Sequence, residues 1–233
     1  MSVEKLNFIQ RTLSVGQLQC NCQILVCPKT HEAVLVDPGD DAQKILNEIA
    51  TIEKNLGARL KVKALFHTHA HFDHIGATRE VKEHFVAAGI EAPQIFLHKA
   101  DEFIYQMLPM QGKMFGFEFK PSLPIDQFFQ DEQTLEFGTM KFSVIHTPGH
   151  SPGGVCFHLK EDSALAMPET IFTGDTLFKR SVGRTDLWGG DQDLMIKSIR
   201  SRLMTLDDET LAWPGHGPST RIGEEKRANP FLS

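Results

Sequence analysis

The chain has 233 residues, 41% of them hydrophobic and 23% charged, which is enough for one large domain with a substantial core. A formal net charge of -6 gives no general attraction to nucleic acid or to an anionic membrane surface, and argues against a phosphodiester substrate. No run approaches the length of a membrane span, and residues 1–10 read as strand-forming without an apolar stretch of signal length, so a cytoplasmic location is expected.

Residues 8–13, 21–27 and 33–36 alternate or run apolar, with Pro28-Lys29-Thr30-His31 as a turn, and predict an antiparallel meander. Cys20, Cys22 and Cys27 crowd one strand-like segment, where disulfide geometry is poor. With Cys156 they are read as buried thiols. The third strand ends in Asp37-Pro38-Gly39, and Asp40 or Asp41 is expected to cap a helix that carries Ile45, Leu46, Ile49, Ile52 and Leu56 and closes at Gly57. The apolar run 62–66 predicts a buried strand, and a helix with Ile75, Arg79, Val81 and Phe85 is expected to reach residue 88. A short strand at 94–97 and a helix at 99–107 follow. Residues 109–130, with Phe115, Phe117, Phe119, Phe128 and Phe129, read as a long irregular stretch whose rings pack mostly over the core, with one side available to wall a cleft. Gly138-Thr139 is expected to turn a hairpin between 135–137 and 141–145. Strands at 155–159, 169–173 and 210–213 and a helix at 191–204 complete the chain, with no linker to suggest a second domain beside 1–233.

Between the strand at 62–66 and its helix stand His69, His71, Asp73 and His74, three imidazoles and a carboxylate within six residues. Residues two apart on an extended approach point the same way, which aims His69 and His71 at one place. Imidazole nitrogen and carboxylate oxygen are ligands that borderline divalent metals prefer, and unbridged they would repel or sit unpaired. His67 is read as a supporting or structural residue. Three further strand ends carry the same residue types in Gly/Pro turns: His150 after Thr147-Pro148-Gly149, Asp175 after Gly174, and His216 after Pro214-Gly215. If these ends share one edge of the fold, seven ligands converge. Asp37, at another strand end, either steers a metal-binding imidazole from behind or simply forms an Asp-Pro-Gly turn.

Thr68-His69-Ala70-His71-Phe72-Asp73-His74, Thr147-Pro148-Gly149-His150, Thr173-Gly174-Asp175 and Pro214-Gly215-His216 resemble, in order, the motif series of the metallo-β-lactamase superfamily. The resemblance implies an α/β fold, a four-layer αββα sandwich with the metal site along one edge. Phe178, Gly183-Arg184-Thr185-Asp186 and Asn229-Pro230-Phe231 are similar to the glyoxalase II group, the hydroxyacylglutathione hydrolases, in a short single-domain form. By that pattern His69, His71 and His150 hold one metal and Asp73, His74 and His216 the other, with Asp175 and a water between them and Arg184 facing the glutathione moiety. Two divalent ions, zinc by preference with iron or manganese possible, would supply hydroxide near neutral pH to attack a thioester such as S-D-lactoylglutathione. Asp73 would also orient the nucleophile. Persulfide dioxygenases resemble the chain too, and would use a single iron on His69, His150 and Asp175. β-Lactamases are usually exported, which speaks against that activity for a chain without a signal segment.

Overall fold

Alternation along the strands divides the apolar side chains between two faces, and that division builds the layers. The computed structural model describes residues 8–162 and 168–232. In chain order the elements are β1 (Ile9–Val15), β2 (Cys20–Val26), β3 (Glu32–Val36), α1 (Ala42–Leu56), β4 (Lys61–Phe66), α2 (Phe72–Ile75), α3 (Thr78–Ala87) and β5 (Gln94–His98). After a 3-10 turn come α4 (Glu102–Gln106), α5 (Leu108–Phe115), β6 (Gln127–Phe129), β7 (Thr134–Phe137), β8 (Met140–His146), β9 (Val155–Leu159) and β10 (Thr170–Gly174). The ribbon β11 (Leu177–Phe178) and β12 (Ser181–Val182) leads to α6 (Gln192–Ser198), β13 (Leu211–Pro214), β14 (Thr220–Arg221) and α7 (Ile222–Ala228).

Among the described residues two six-stranded sheets result, ordered β1-β2-β3-β4-β5-β6 and β14-β13-β10-β9-β8-β7. On β3, Ala33 and Leu35 face outward into a cluster with Ile45, Ile49, Val81 and Phe85 of α1 and α3. Their neighbours Val34 and Val36 face inward, against Phe142, Phe157 and Phe172 of the other sheet. On β10, Ile171 turns outward to Met195 and Ile199. Three apolar interfaces in series, helix on sheet, sheet on sheet and sheet on helix, make the expected αββα sandwich. Between the sheets, Phe66 lies 4.9 to 5.6 Å, centroid to centroid, from the rings of Phe157, Phe129, Phe96, Phe142 and Phe137. Phe66→Ala should therefore cost about 3–5 kcal/mol of stability, read by denaturant unfolding. A loss below about 1 kcal/mol would contradict this packing.

Strand direction fixes where the site can form. β3, β4, β5 and β6 run parallel in the first sheet. In the second, β8 and β10 both oppose β9, and β13 runs with β10. The carboxyl ends of β4, β8, β10 and β13 all open on one edge, and the loops that leave them carry His69–His74, His150, Asp175 and His216.

The expected meander is β1 to β3, and the four cysteines are buried free thiols. Residues 1–7 of the expected strand-forming start lie outside the described residues. Several expectations are corrected. Asp41 precedes α1 but its side chain makes no cap, because its Oδ2 accepts instead from the Gly16 N–H at 2.9 Å. The stretch read as irregular over 109–130 holds a helix, α5, and an edge strand, β6. The helix expected over 191–204 changes to a π-turn from Ile199 to Leu203, and β13 is followed by β14 and α7 rather than ending the sheet. No described helix is long and apolar enough to cross a membrane.

Candidate metal centre

All seven residues expected as ligands meet at that edge. Among the described residues, three groups have ligand atoms within 4.8 Å of one another: His69, His71 and His150; Asp73, His74 and His216; and His69, His74 and Asp175. In the first, His150 Nε2 lies 2.8 Å from His71 Nδ1 and 3.2 Å from His69 Nε2. In the second, His74 Nε2 is 3.2 Å from His216 Nε2, and Asp73 Oδ2 is 3.1 Å from His216 Nε2. Asp175 spans both, with Oδ1 3.4 Å from His74 Nε2 and Oδ2 3.6 Å from His150 Nε2 and 3.7 Å from His216 Nε2.

Bare nitrogens this close need something between them. Four of the five imidazoles have Nδ1 occupied from outside. His69 Nδ1 donates to Thr68 Oγ1 at 3.0 Å, whose hydroxyl donates to Asp37 Oδ2 at 2.7 Å. His74 Nδ1 donates to the same carboxylate at 3.0 Å. His150 Nδ1 donates to the Arg184 carbonyl at 2.7 Å, and His216 Nδ1 to the Leu18 carbonyl at 3.0 Å. Each bond fixes a tautomer whose Nε2 lone pair faces inward, which is how outer partners prepare histidines for metal. Asp175 Oδ1 is buried without a hydrogen-bond partner among the described residues. A tetrahedral ion with ligands at its usual distance separates its ligand atoms by about 3.3 Å, so the donor set and spacing fit a pair of divalent ions.

Local sequence explains the placement. Asp37 sits at φ 52, and a Cβ on Gly39 of its Asp-Pro-Gly turn would overlap the Asp73 carbonyl, so only glycine lets this turn pack against the Asp73–His74 turn. Asp37 also accepts from the Thr68 N–H at 2.7 Å, so it does more than close a turn. A Cβ on Gly215 would meet Asp175 Oδ1 and His74 Cε1. His67 is buried, with Nε2 3.2 Å from Thr78 Oγ1, and supports the loop from the core side.

Charge divides the cluster. Burial pushes His69 well below its ordinary value and His71 down to about 3. Burial also works against charge on His74, yet Cys20, Asp175, Asp73 and Asp37 around it hold its pKa well above the ordinary histidine value. His216 is raised against burial by its bond to Asp73 and by Asp175. Asp73, despite burial, is held far below the carboxylate range by His74 and His216.

Above the cluster is a cavity of about 230 Å³, floored by His71, Asp73, His150, Asp175 and His216 and walled by Leu18, Phe72, Phe115, Leu187, Trp188 and Arg184. Phe115 stacks on Phe72 at 5.0 Å, while Phe117 and Phe119 pack against the helix-side core, so one ring of the Phe-rich stretch walls the cleft and these two cover core; Phe128 lies instead under the Lys99 ammonium. Phe129 belongs to the inter-sheet core. The Arg184 side chain lines the mouth but is exposed, and Asp186 holds it through two bonds of 2.7 and 2.8 Å. Trp188, whose ring lies 5.9 Å from His71, carries no motif in the sequence, and neither do Gln111 and Asp101. Gln111, buried on α5, accepts from the Phe72 N–H and donates to the Ala70 carbonyl, both at 3.0 Å.

Fold, edge site and motif order define a metallo-hydrolase, and the chain belongs to the metallo-β-lactamase superfamily, which it matches over residues 15–216. It is similar to the hydroxyacylglutathione hydrolase GloC of Haemophilus influenzae, 36% identical over 95% of this chain and 96% of that one. Among solved structures it resembles the BLEG-1 B3 metallo-beta-lactamase, with a TM-score of 0.83 and 35% identity over 97% of this chain and 100% of that one. It also resembles TTHA1623 in a di-iron-bound form, with a TM-score of 0.76 and 36% identity over 95% of this chain and 100% of that one.

Proposed function

We propose that residues 1–233 form one hydrolase domain that cleaves thioesters of the S-D-lactoylglutathione type at a dinuclear metal centre, in a reducing, cytoplasmic setting that keeps its four thiols free. The observation that carries this reading is the convergence of four outwardly anchored Nε2 atoms, His71 Nδ1 and two carboxylates on the floor of one cleft. His69, His71 and His150 would hold one ion, Asp73, His74 and His216 the other, and Asp175 both. Zinc suits the donor set, and the di-iron relative keeps iron open. Such ions, when bound, would supply a water acidified toward neutrality and an electrophilic partner for a carbonyl oxygen.

The chain's own residues do the rest. Asp73, ionised because its pKa is so low, can accept a hydrogen bond from the attacking water and fix its direction. Leu18, Phe115 and Trp188 shield the acyl group from bulk water and seat its apolar part. A thiolate leaving group, from a thiol of pKa about 8.5, departs without a strong acid, which suits a cleft whose ionisable floor is committed to metal. Hydrolysis of a panel of glutathione thioesters, with metal measured on the same sample, tests the reading; no turnover by the loaded enzyme would refute it.

The rival is a mononuclear iron persulfide dioxygenase on His69, His150 and Asp175. The closeness of Asp73, His74 and His216 favours hydrolysis, and oxygen uptake with glutathione persulfide would reverse that preference. For substrate binding, a glutathione carboxylate has to compete with Asp186 for Arg184. Asp186→Asn should therefore lower KM for S-D-lactoylglutathione by about 2–5-fold, and Arg184→Ala should raise it, with little change in kcat. KM unchanged in both variants would remove Arg184 from the substrate site.

A further inference from the structure

Asp101 is a buried carboxylate, with no exposed surface, in the turn between β5 and α4. Its hydrogen bonds come from neutral donors. Oδ2 accepts from the Ala70 N–H at 3.0 Å and from Ser151 Oγ at 2.7 Å, and Oδ1 accepts from the Gly153 N–H at 2.5 Å. Burying a carboxylate against neutral donors costs free energy that an apolar residue would not incur. What the arrangement achieves is geometric. Ala70 lies between His69 and His71, and Ser151 follows His150, so one side chain grips both loops of the first ligand group beside their imidazoles. Asp37 does the comparable work elsewhere, on Thr68 and His74. None of the three hydrogen bonds to Asp101 comes from the Asp73–His74 turn or the His216 loop.

The geometry points to Asp101 as a positioning residue that sets the spacing of the His69–His71 loop from the His150 turn, and so governs metal retention at that half of the centre alone. The inference rests on the dinuclear reading above. Ligand geometry tolerates errors of about 0.5 Å, and partners that orient ligands from behind are worth about 10–100-fold in metal affinity. In Asp101→Asn the amide oxygen can still accept, but in either orientation the NH2 group faces a backbone N–H, that of Gly153 or that of Ala70. Donor then meets donor and the two loops part. Ser151→Ala removes one of the three bonds and leaves the carboxylate, so it should show the same selectivity on a smaller scale.

The experiment isolates each half-site. Cobalt(II) is titrated into the metal-stripped full chain against a competing chelator, in the His216→Ala background, which leaves the first group whole, and in the His150→Ala background, which leaves the second. Asp101→Asn should weaken cobalt binding about 10–100-fold in the first background and less than about 2-fold in the second. Thermal unfolding of the metal-free variants runs alongside. Equal weakening in both backgrounds, with a matching fall in Tm, would reduce Asp101 to a general stabiliser and overturn the inference, as would no weakening in either. If Asp101→Asn does not fold, the same comparison with Ser151→Ala decides. A chain that binds two cobalt ions with this asymmetry yet cleaves no thioester would remove the hydrolase reading and leave the inference standing. A chain that binds none would overturn both.

Discussion

Asp175→Ala is expected to lower kcat/KM for thioester hydrolysis by at least about 10³-fold, or about 4 kcal/mol of transition-state stabilisation. The size follows from position. Asp175 Oδ1 faces His74, and Oδ2 faces both His150 and His216, so this one carboxylate touches residues of both ligand groups. Without it three Nε2 atoms lose the anion that offsets two cations, and the groups become independent. Metal content per chain should fall with activity. His71→Ala should have a comparable effect, because its Nδ1 lies 2.8 Å from His150 Nε2, at the centre of the first group. Either variant, metal-loaded and turning over at the native rate, would refute the assignment of these residues.

Acidification is expected to empty the centre in a set order. Metal binding displaces protons from its ligands, so the ligands with the higher pKa meet proton competition first as pH falls. His74 and His216 are raised, while burial keeps His69 and His71 far below neutrality. The ion on Asp73, His74 and His216 should therefore leave first and the ion on His69, His71 and His150 last. Fold stability moves the same way. His67, whose folded pKa burial lowers from 6.5 to about 4, stays neutral in the native chain while the unfolded chain takes up a proton. A depressed histidine pKa leaves stability intact above pH 6.5 and removes it as pH falls from 6.5 toward 4. The loss is on the order of 3 kcal/mol for this group, and metal release adds to it. Equilibrium dialysis at stepped pH, with metal analysis and thermal unfolding, reads both effects. First-group metal lost first, or acid stability flat across that window, would contradict the account.

Much of the centre was legible because its signals are local. Four ligand-type residues within six positions, and three more in Gly/Pro turns at strand ends, need no tertiary information to stand out, and the parallel strands deliver them to one edge. Asp101 was not legible. In Lys99-Ala100-Asp101-Glu102 it reads as an ordinary acid in a first helical turn, and its partners lie 31, 50 and 52 residues away. The Arg184 carbonyl that sets the His150 tautomer is a backbone atom with no residue preference at all. Helix α5 was hidden by composition. Pro109 and Gly112 look like breakers, yet the proline sits in the first turn, where its missing N–H costs nothing. Gly112 is where Phe119 and the Phe117 carbonyl crowd the helix, so a Cβ there would collide with both. Trp188 stood in a Gly-flanked loop with no periodicity to assign it to the cleft.

The most direct measurement is metal content and initial rate on one sample of the native chain, titrated with zinc from the stripped state. The panel should hold S-D-lactoylglutathione, glutathione persulfide with oxygen uptake recorded, and a β-lactam, since one solved relative is a B3 metallo-beta-lactamase. Two ions per chain are expected, with thioester cleavage that rises with occupancy and little turnover of the other two. One ion per chain, with oxygen consumed on the persulfide and the thioester left intact, would contradict the hydrolase reading.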